Sequence, residues 1–269
     1  IGYYLTNNSH FTNYAGSIHV DGQNITLMIT DAGSSINLAT PFTVTSTPES
    51  TYVVGNMIGG DFYNNTAGTL GSNGSLINGI GTAALFGTGS NINSTGINVS
   101  GMVLSGQHGL VPGHTISGTS ILVHEEGTNL GIISLGDSSA GMYLTSGARG
   151  RNEGTISINN NSVGIYAEGT GSHIVNHNGT ITIGQESTGL FLKDGIKIDN
   201  MGTSEINSKR KKAVGIYSEN NLSGSTLITN INKIDLSGDQ SLGIYTTGEN
   251  NITNSGTIQI GHSVSQLQT

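Results

Sequence analysis

A cassette bounded by two glycines ten positions apart recurs along the chain at intervals of about 25 residues. Three copies are nearly superimposable: GIISLGDSSAG at Gly131–Gly141, GTISINNNSVG at Gly154–Gly164 and GTITIGQESTG at Gly179–Gly189. An apolar residue and then an aromatic residue follow each copy, and the same ending recurs at Tyr217 and Tyr245. Repetition at this period is typical of a solenoid, in which each repeat packs only on its neighbours.

Apolar and polar residues alternate within each cassette, as at Ile156 and Ile158 or at Ile181 and Ile183. This period of two predicts short strands with one buried face. Gly, Asn, Ser and Asp fill the gaps and favour turns. We therefore predict an all-β fold, a right-handed parallel β-helix (β-solenoid) with about 25 residues per rung.

Asparagines recur near the strand ends, and stacked side-chain amides can hydrogen-bond along a column. We expect such a column at one corner of the coil, where it would hold the rungs in register. The predicted members are Asn152, Asn178, Asn200 and Asn254.

The repeat divides the chain into four parts. Residues 131–269 predict regular rungs, residues 1–24 one rung, and residues 74–130 degenerate rungs. Between 25 and 73 the cassette disappears, and two of the three prolines lie there. Over 25–73 we expect either an irregular excursion or insertion or strongly modified rungs. An insertion would carry a binding site, as insertions in repeat proteins often do, or form a structural cap or wide loop without a partner.

The aromatic residues that follow the cassettes form one candidate ligand-binding set. If the isoleucines point inward, these rings point outward from successive rungs and are free to stack on sugars or anchor a protein partner. The alternative is a purely structural role, with the rings buried or stacked for register. The set is Tyr143, Tyr166, Phe191, Tyr217 and Tyr245.

Charge is sparse and unevenly distributed. The first 148 residues contain no Lys or Arg, so the basic surface that nucleic-acid binding requires is missing from most of the chain. Four of the nine basic residues cluster in one loop, as Lys209, Arg210, Lys211 and Lys212. That loop is a second candidate site, for an anionic polysaccharide or lipid, or else a solvated turn.

No residue pattern predicts a metal, a cofactor or catalysis. His173 and His177 lack the helical spacing of a zinc pair, and Cys is absent. A polysaccharide-degrading β-helix needs carboxylates that converge from adjacent rungs, whereas Asp137, Asp199 and Asp235 occupy unrelated phases of the repeat. We therefore expect a protein that is not an enzyme.

Two motifs carry a family resemblance, N-x-G-T-I-x-I at Asn152–Ile158 and Asn254–Ile260, and S-x-G-I-Y at Ser162–Tyr166 and Ser241–Tyr245. Together with the Gly- and Asn-rich, cysteine-free composition, they resemble passenger domains of type Va autotransporters, and most closely the very large fusobacterial outer-membrane adhesins of the RadD type. The resemblance covers roughly 130–261 strongly and specifies an architecture more than a ligand.

The resemblance implies a secreted β-helix on the bacterial cell surface, a virulence-associated adhesin that binds a host-cell glycan or protein receptor or another bacterium's surface. Because each turn of the coil closes on itself, we expect a monomer. It also implies a leader and a carboxy-terminal outer-membrane β-barrel, which we expect to lie elsewhere in a longer parent protein. A structural spacer without a ligand of its own is the main alternative. A β-helical polysaccharide-degrading enzyme is a weaker one.

Overall fold

The computed structural model describes residues 2–12, 15–109, 115–116, 119–120 and 126–261 of the chain. Over these residues the chain coils into a parallel β-solenoid of about 10 turns with about 25 residues per rung. The strands form three ten-stranded parallel sheets, named here sheets A, B and C. The predicted all-β solenoid is confirmed, and its right-handedness stays a prediction.

Each sheet takes one strand from every turn. Sheet A contains β1 (Tyr3–Leu5), β4 (Ile25–Thr30), β7 (Tyr52–Ile58), β10 (Gly74–Ile80), β13 (Ser100–Ser105), β18 (Ala140–Thr145), β21 (Val163–Glu168), β24 (Thr188–Lys193), β27 (Val214–Asn220) and β30 (Leu242–Gly248). Sheet B contains β2 (His10–Thr12), β5 (Ser35–Leu38), β8 (Asp61–Asn64), β11 (Ala83–Phe86), β16 (Gly127–Asn129), β19 (Arg149–Asn152), β22 (His173–His177), β25 (Lys197–Met201), β28 (Thr226–Asn230) and β31 (Asn250–Asn254). Sheet C contains β3 (Gly16–Val20), β6 (Phe42–Ser46), β9 (Ala67–Thr69), β12 (Asn91–Asn93), β17 (Ile132–Leu135), β20 (Thr155–Ile158), β23 (Thr180–Ile183), β26 (Glu205–Ser208), β29 (Lys233–Leu236) and β32 (Thr257–Ile260).

The core is a set of columns of like residues. In sheet C, Ile156, Ile181, Ile206 and Ile234 are Cα partners in successive strands, and all four are buried. Each isoleucine therefore packs on its equivalents about 4.8 Å above and below, the spacing of paired strands. A single rung could not bury this face alone, so the core depends on stacking.

The repeated glycine that opens each Gly-Ile-Tyr segment allows close packing between turns. A Cβ on Gly164 would lie 2.5 Å from the carbonyl oxygen of Gly189 and 2.8 Å from Cγ2 of Ile181. A Cβ on Gly189 would meet Gly215 and Ile206 at similar distances. In these later turns the glycine recurs because a larger residue would clash with the next turn, whereas Val54 and Leu76 occupy the equivalent position in earlier turns.

The predicted asparagine ladder exists at the end of sheet B, with one member misassigned. Each side-chain amide donates to the Oδ1 of the next at 2.7–2.9 Å. Asn178 lies outside it, in a turn with φ of 62°, where its Oδ1 accepts from the Thr203 backbone N–H. The members are Asn129, Asn152, Asn176, Asn200, Asn230 and Asn254.

Residues 25–73 form modified rungs, and the alternative of an irregular excursion or insertion is wrong. That segment carries β4 to β9, two complete turns of the solenoid. Met28 and Phe62 fill core columns in which later turns have isoleucine, at Ile165 and Ile174, so the hydrophobic alternation continues without the repeated motif. The two prolines fall between strands, where no N–H is needed for pairing.

The irregular part of the chain lies between β13 and β16, within the predicted degenerate region 74–130. Its described residues include an antiparallel hairpin of β14 (Thr115–Ile116) and β15 (Thr119–Ser120). Ile116 packs on Ala83 and Leu85, which alternate with core residues of β11 and so face outward. The described hairpin therefore covers part of the outer face of sheet B.

Candidate functional site

The five predicted aromatic residues form a column on the outer face of sheet A. They are Cα partners in the five successive strands β18, β21, β24, β27 and β30. Tyr143 is 37% exposed and Tyr245 is 45% exposed, while Tyr166, Phe191 and Tyr217 between them are half-buried. The rings therefore point away from the core, and the interpretation with buried rings is wrong.

The rings cover one another for most of this column. Tyr143 and Tyr166 are stacked with centroids 4.8 Å apart, and Phe191 and Tyr217 are stacked at 4.4 Å. Tyr166 meets Phe191 edge to face at 5.0 Å, and Tyr217 and Tyr245 lie tilted at 5.2 Å. Since aromatic pairs of this kind are worth about 0.5–1.5 kcal/mol each, the column stabilises its own rungs.

Hydrogen bonding also fixes the column. The hydroxyl of Tyr166 donates to Glu168 Oε2 over 2.6 Å. Partial burial and this bond both raise the pKa of Tyr166 above its usual value, so the hydroxyl stays protonated at neutral pH. The ring is held in a fixed orientation and is not prepared for acid–base chemistry.

The aromatic column ends at Tyr143, and a hollow begins there. The preceding positions of the same column are Val103, Asn78 and Asn56. These smaller side chains leave an open hollow of about 530 Å³ over β4, β7, β10 and β13. A second hollow of about 330 Å³ continues from it to Tyr143 and Tyr166.

The two hollows form one continuous channel, which we call the sheet A groove. They share Asn98 and Ser100. The floor consists of small outward-facing residues, such as Ser75, Ser100 and Ala140, which are partners in one column. None of the described residues that line the groove is charged.

A row of left-handed turn residues forms the second wall of the groove. Asn73, Asn98 and Asn161 all have φ of 54–55°, a conformation that Asn tolerates better than most residues. The Asn98 amide donates to Asn73 Oδ1 at 2.9 Å, and the Asn73 amide donates to the Pro48 carbonyl oxygen at 2.9 Å. The wall is therefore braced from rung to rung.

The basic loop lies between β26 and β27, away from the groove. Lys209, Arg210, Lys211 and Lys212 are all exposed. Lys212 pairs with Glu186 at 3.0 Å, and this hydrogen bond lowers the pKa of Glu186. The first two residues line a separate hollow of about 520 Å³ beside sheet C, so the two predicted sites are separate surfaces.

A cluster of ionic side chains occupies the outer face of sheet B. Asp199 is buried and accepts from His173 Nε2 at 3.1 Å and Lys197 Nζ at 2.8 Å. Burial alone would raise the pKa of Asp199, but these two bonds outweigh it and hold that pKa below its usual value. His177 bonds Arg151 instead, so the two histidines have separate structural partners.

Other carboxylates that the sequence singles out also have local structural partners. Asp137 accepts from the Asn160 backbone N–H at 3.0 Å, and Asp235 pairs with Lys233 at 2.8 Å. Glu126, buried beneath the insertion, accepts from the Arg149 backbone N–H at 2.8 Å, and burial raises its pKa. These groups hold turns and strands together.

The described part of the chain has neither a metal-binding cluster nor a helix that could span a membrane. It contains no group of three or more His, Cys, Asp or Glu side chains placed to hold a metal ion. Three other potential metal ligands of the sequence, His114, His124 and Glu125, lie outside the described residues. No helix in the same residues has the length and apolar character to cross a membrane.

Comparison with known protein families finds one family model that matches this chain. A family model described as the BigA third pectate lyase-like domain matches residues 2–190, more than half of the chain. The chain belongs to the BigA third pectate lyase-like domain family. No curated protein and no solved structure matches the chain significantly.

BigA is an autotransporter-like adhesin, and the family match is consistent with a β-helical passenger domain. The closer likeness to the RadD type stays a prediction. The family's name refers to pectate lyases, but the match does not decide catalysis, and the non-enzymatic character of the chain also stays a prediction.

The BigA family match includes the whole sheet A groove together with Tyr143 and Tyr166. Phe191, Tyr217, Tyr245 and the basic loop lie beyond residue 190. The groove residues were not predicted from the sequence, because the groove forms where large side chains are missing from the outer column and not where a recognisable motif occurs. The likeness of Gly101–Leu104 to Gly141–Leu144 does reveal it, since it aligns Val103 with Tyr143.

Proposed function

We propose that this chain is a non-catalytic segment of a bacterial cell-surface adhesin, and that it binds a glycan or protein receptor on a host cell or on another bacterium. The outer face of sheet A is the proposed binding surface. The observation that supports it most is the open groove that leads to the exposed Tyr143 ring. Membership of a family named after an adhesin supports the same function.

Binding of the purified, fluorescently labelled chain to epithelial and immune cells tests this proposal. We expect saturable binding that weakens at least tenfold in a Tyr143→Ala, Tyr166→Ala double variant, because these residues close the groove. Competition with galactose-type sugars separates glycan receptors from protein receptors. The matched control is Tyr217→Ala, which removes a ring of the same column away from the groove.

Absence of saturable binding at micromolar concentration would contradict the proposal. It would favour the second candidate, a structural spacer that carries an adhesive region of the parent protein. The rings and amides that stack along the axis support that alternative, because they stabilise a long rigid coil without any ligand. The spacer predicts that no variant of the sheet A face alters cell attachment.

The basic loop is a lesser candidate surface within the same function. The side chains of Lys209, Arg210 and Lys211 form no ion pair with another described residue, whereas Lys212 is paired. Unpaired cations beside an open hollow favour an anionic partner such as an acidic polysaccharide or a lipid headgroup.

A further inference from the structure

We propose that the sheet A groove binds an uncharged oligosaccharide whose chain runs along the axis of the solenoid. The inference rests on the proposed adhesin function and adds the class of ligand and the place of the site. It is argued from the length, hydrogen-bonding groups, charge and aromatic end of the groove.

The groove has the shape of a site for a linear molecule. It spans six neighbouring strands of sheet A, from β4 to β21, which corresponds to about 24 Å at the usual strand spacing. Its floor is low because Ser75, Ser100 and Ala140 occupy the column that continues as Val163, Thr188, Val214 and Leu242. A flexible chain several sugar units long fits along such a channel.

Polar groups in the groove are available to a ligand. The side-chain amides of Asn56 and Asn78 and the hydroxyl of Ser100 form no hydrogen bond with any other described residue. In contrast, the asparagines of the sheet B ladder bond one another. An amide both donates and accepts, as a hydroxyl does, so these groups match the mixed donors and acceptors of sugar hydroxyls.

The absence of charge selects among ligand classes. An acidic polysaccharide or a phosphate group would leave its anions without a cation here, while the basic residues of this chain all lie at or beyond Arg149. A peptide that adds a strand needs an unpaired sheet edge. The strands beneath the groove, β7, β10 and β13, are paired on both sides. An uncharged, hydroxyl-rich chain remains the best match.

Tyr143 supplies the aromatic surface at one end of the groove. One face of its ring stacks on Tyr166 with the planes 10° apart, and the other face lies towards Val103. That second face has no aromatic partner among the described residues, so it can pack on the apolar side of a sugar ring. The rings further along the column offer mostly their edges.

The test measures binding of neutral hexasaccharides to the full chain. The probes are maltohexaose, cellohexaose, mannohexaose and chitohexaose, with hexagalacturonate as the anionic comparison, measured by calorimetry and by saturation-transfer NMR. We expect at least one neutral probe to bind, and hexagalacturonate to bind at least tenfold more weakly. Ser100→Tyr should abolish that binding by filling the floor, and Asn78→Ala should weaken it severalfold.

Thr188→Tyr is the matched control, because Thr188 lies in the same outward column as Ser100 but outside the groove. It should leave affinity unchanged. Circular dichroism and the thermal midpoint establish that each variant is folded, and a misfolded Ser100→Tyr protein is replaced by Ala140→Tyr. No neutral binding, preference for hexagalacturonate, or equal binding by Ser100→Tyr and Thr188→Tyr would overturn the inference.

The same variants in the cell-attachment assay separate the two proposals. Saturable attachment that Ser100→Tyr does not change, without any hexasaccharide binding, would overturn the groove inference and leave the adhesin function standing. Hexasaccharide binding that Ser100→Tyr abolishes, without cell attachment, would support the groove and contradict the adhesin function on those cells.

Discussion

At the scale of single residues, the asparagine ladder shows how the fold fixes its register. Asn152, Asn176 and Asn200 are fully buried, and each bonds its equivalent on the next rung. A shift of the strand register by one residue would leave these buried amides without hydrogen-bond partners. The cost would be about 1–3 kcal/mol per unsatisfied group. The ladder therefore acts on alignment as much as on stability.

We expect Asn176→Ala to lower the free energy of unfolding by about 1–3 kcal/mol, because Asn152 and Asn200 each lose a buried partner. Chemical denaturation followed by circular dichroism measures this change. The control is Asn207→Ala, an outward-facing strand residue of β26 with a partly exposed side chain. Equal losses in the two variants would show that the buried hydrogen bonds of the ladder add nothing to the effect of replacing any strand asparagine by alanine.

At the scale of strands and turns, the arrangement of strands repeats more regularly along the coil than the identity of the residues does. The glycine of the Gly-Ile-Tyr segment was readable from the sequence because close approach admits only one residue type, as at Gly164 and Gly189. Core positions admit any apolar side chain of suitable size. Two complete turns were therefore not recognised as repeats, because residues such as Met28 and Phe62 occupy their core positions.

The same distinction explains the remaining differences between prediction and structure. Asn176 and Asn178 are two residues apart, so the sequence does not show which of them joins the ladder. In the structure Asn176 is the strand partner of Asn152 and Asn200, whereas Asn178 lies in a turn with a left-handed φ. The aromatic column was predictable because its rings repeat. The groove was not, because Asn56 and Asn78 acquire meaning only when the strand register aligns them with Tyr143.

We expect Gly189→Ala to destabilise the coil by about 1–3 kcal/mol through overpacking, since its Cβ would lie 2.6 Å from the Gly215 carbonyl oxygen. The thermal midpoint measures the effect. Gly55→Ala is the control, because that Cβ would meet only side-chain atoms, at 3.3 Å. A larger loss in the control would contradict the role of backbone approach.

At the scale of the whole molecule, the chain is one continuous stack whose halves differ in surface chemistry. Most of the groove lies over early turns without any Lys or Arg, while all the basic residues and all five rings of the aromatic column belong to later turns, and only Tyr143 and Tyr166 are common to groove and column. Since each turn contacts mainly its neighbours, the stability of the stack should grow with the number of turns. The proposed ligand site and the stacked aromatic column therefore overlap only at Tyr143 and Tyr166.

We expect a chain that ends at Ser208, after β26, to fold with a lower thermal midpoint than the full chain and to keep the sheet A groove. Loss of the last turns removes neighbours but no groove residue. Circular dichroism during heating measures the midpoint, and the hexasaccharide assay measures the groove. An unfolded truncated chain would contradict nearest-neighbour stability.

The stacked rings of sheet A also give the molecule an internal optical signal. The chain contains no tryptophan, and four of its nine tyrosines lie in this one column with centroids 4.4–5.2 Å from an aromatic neighbour. Chromophores at such separations couple electronically, so near-ultraviolet circular dichroism should be dominated by the later turns. Opening of these later turns can therefore be followed without any label, whereas the turns from β4 to β13, which hold most of the groove, contribute little to the signal.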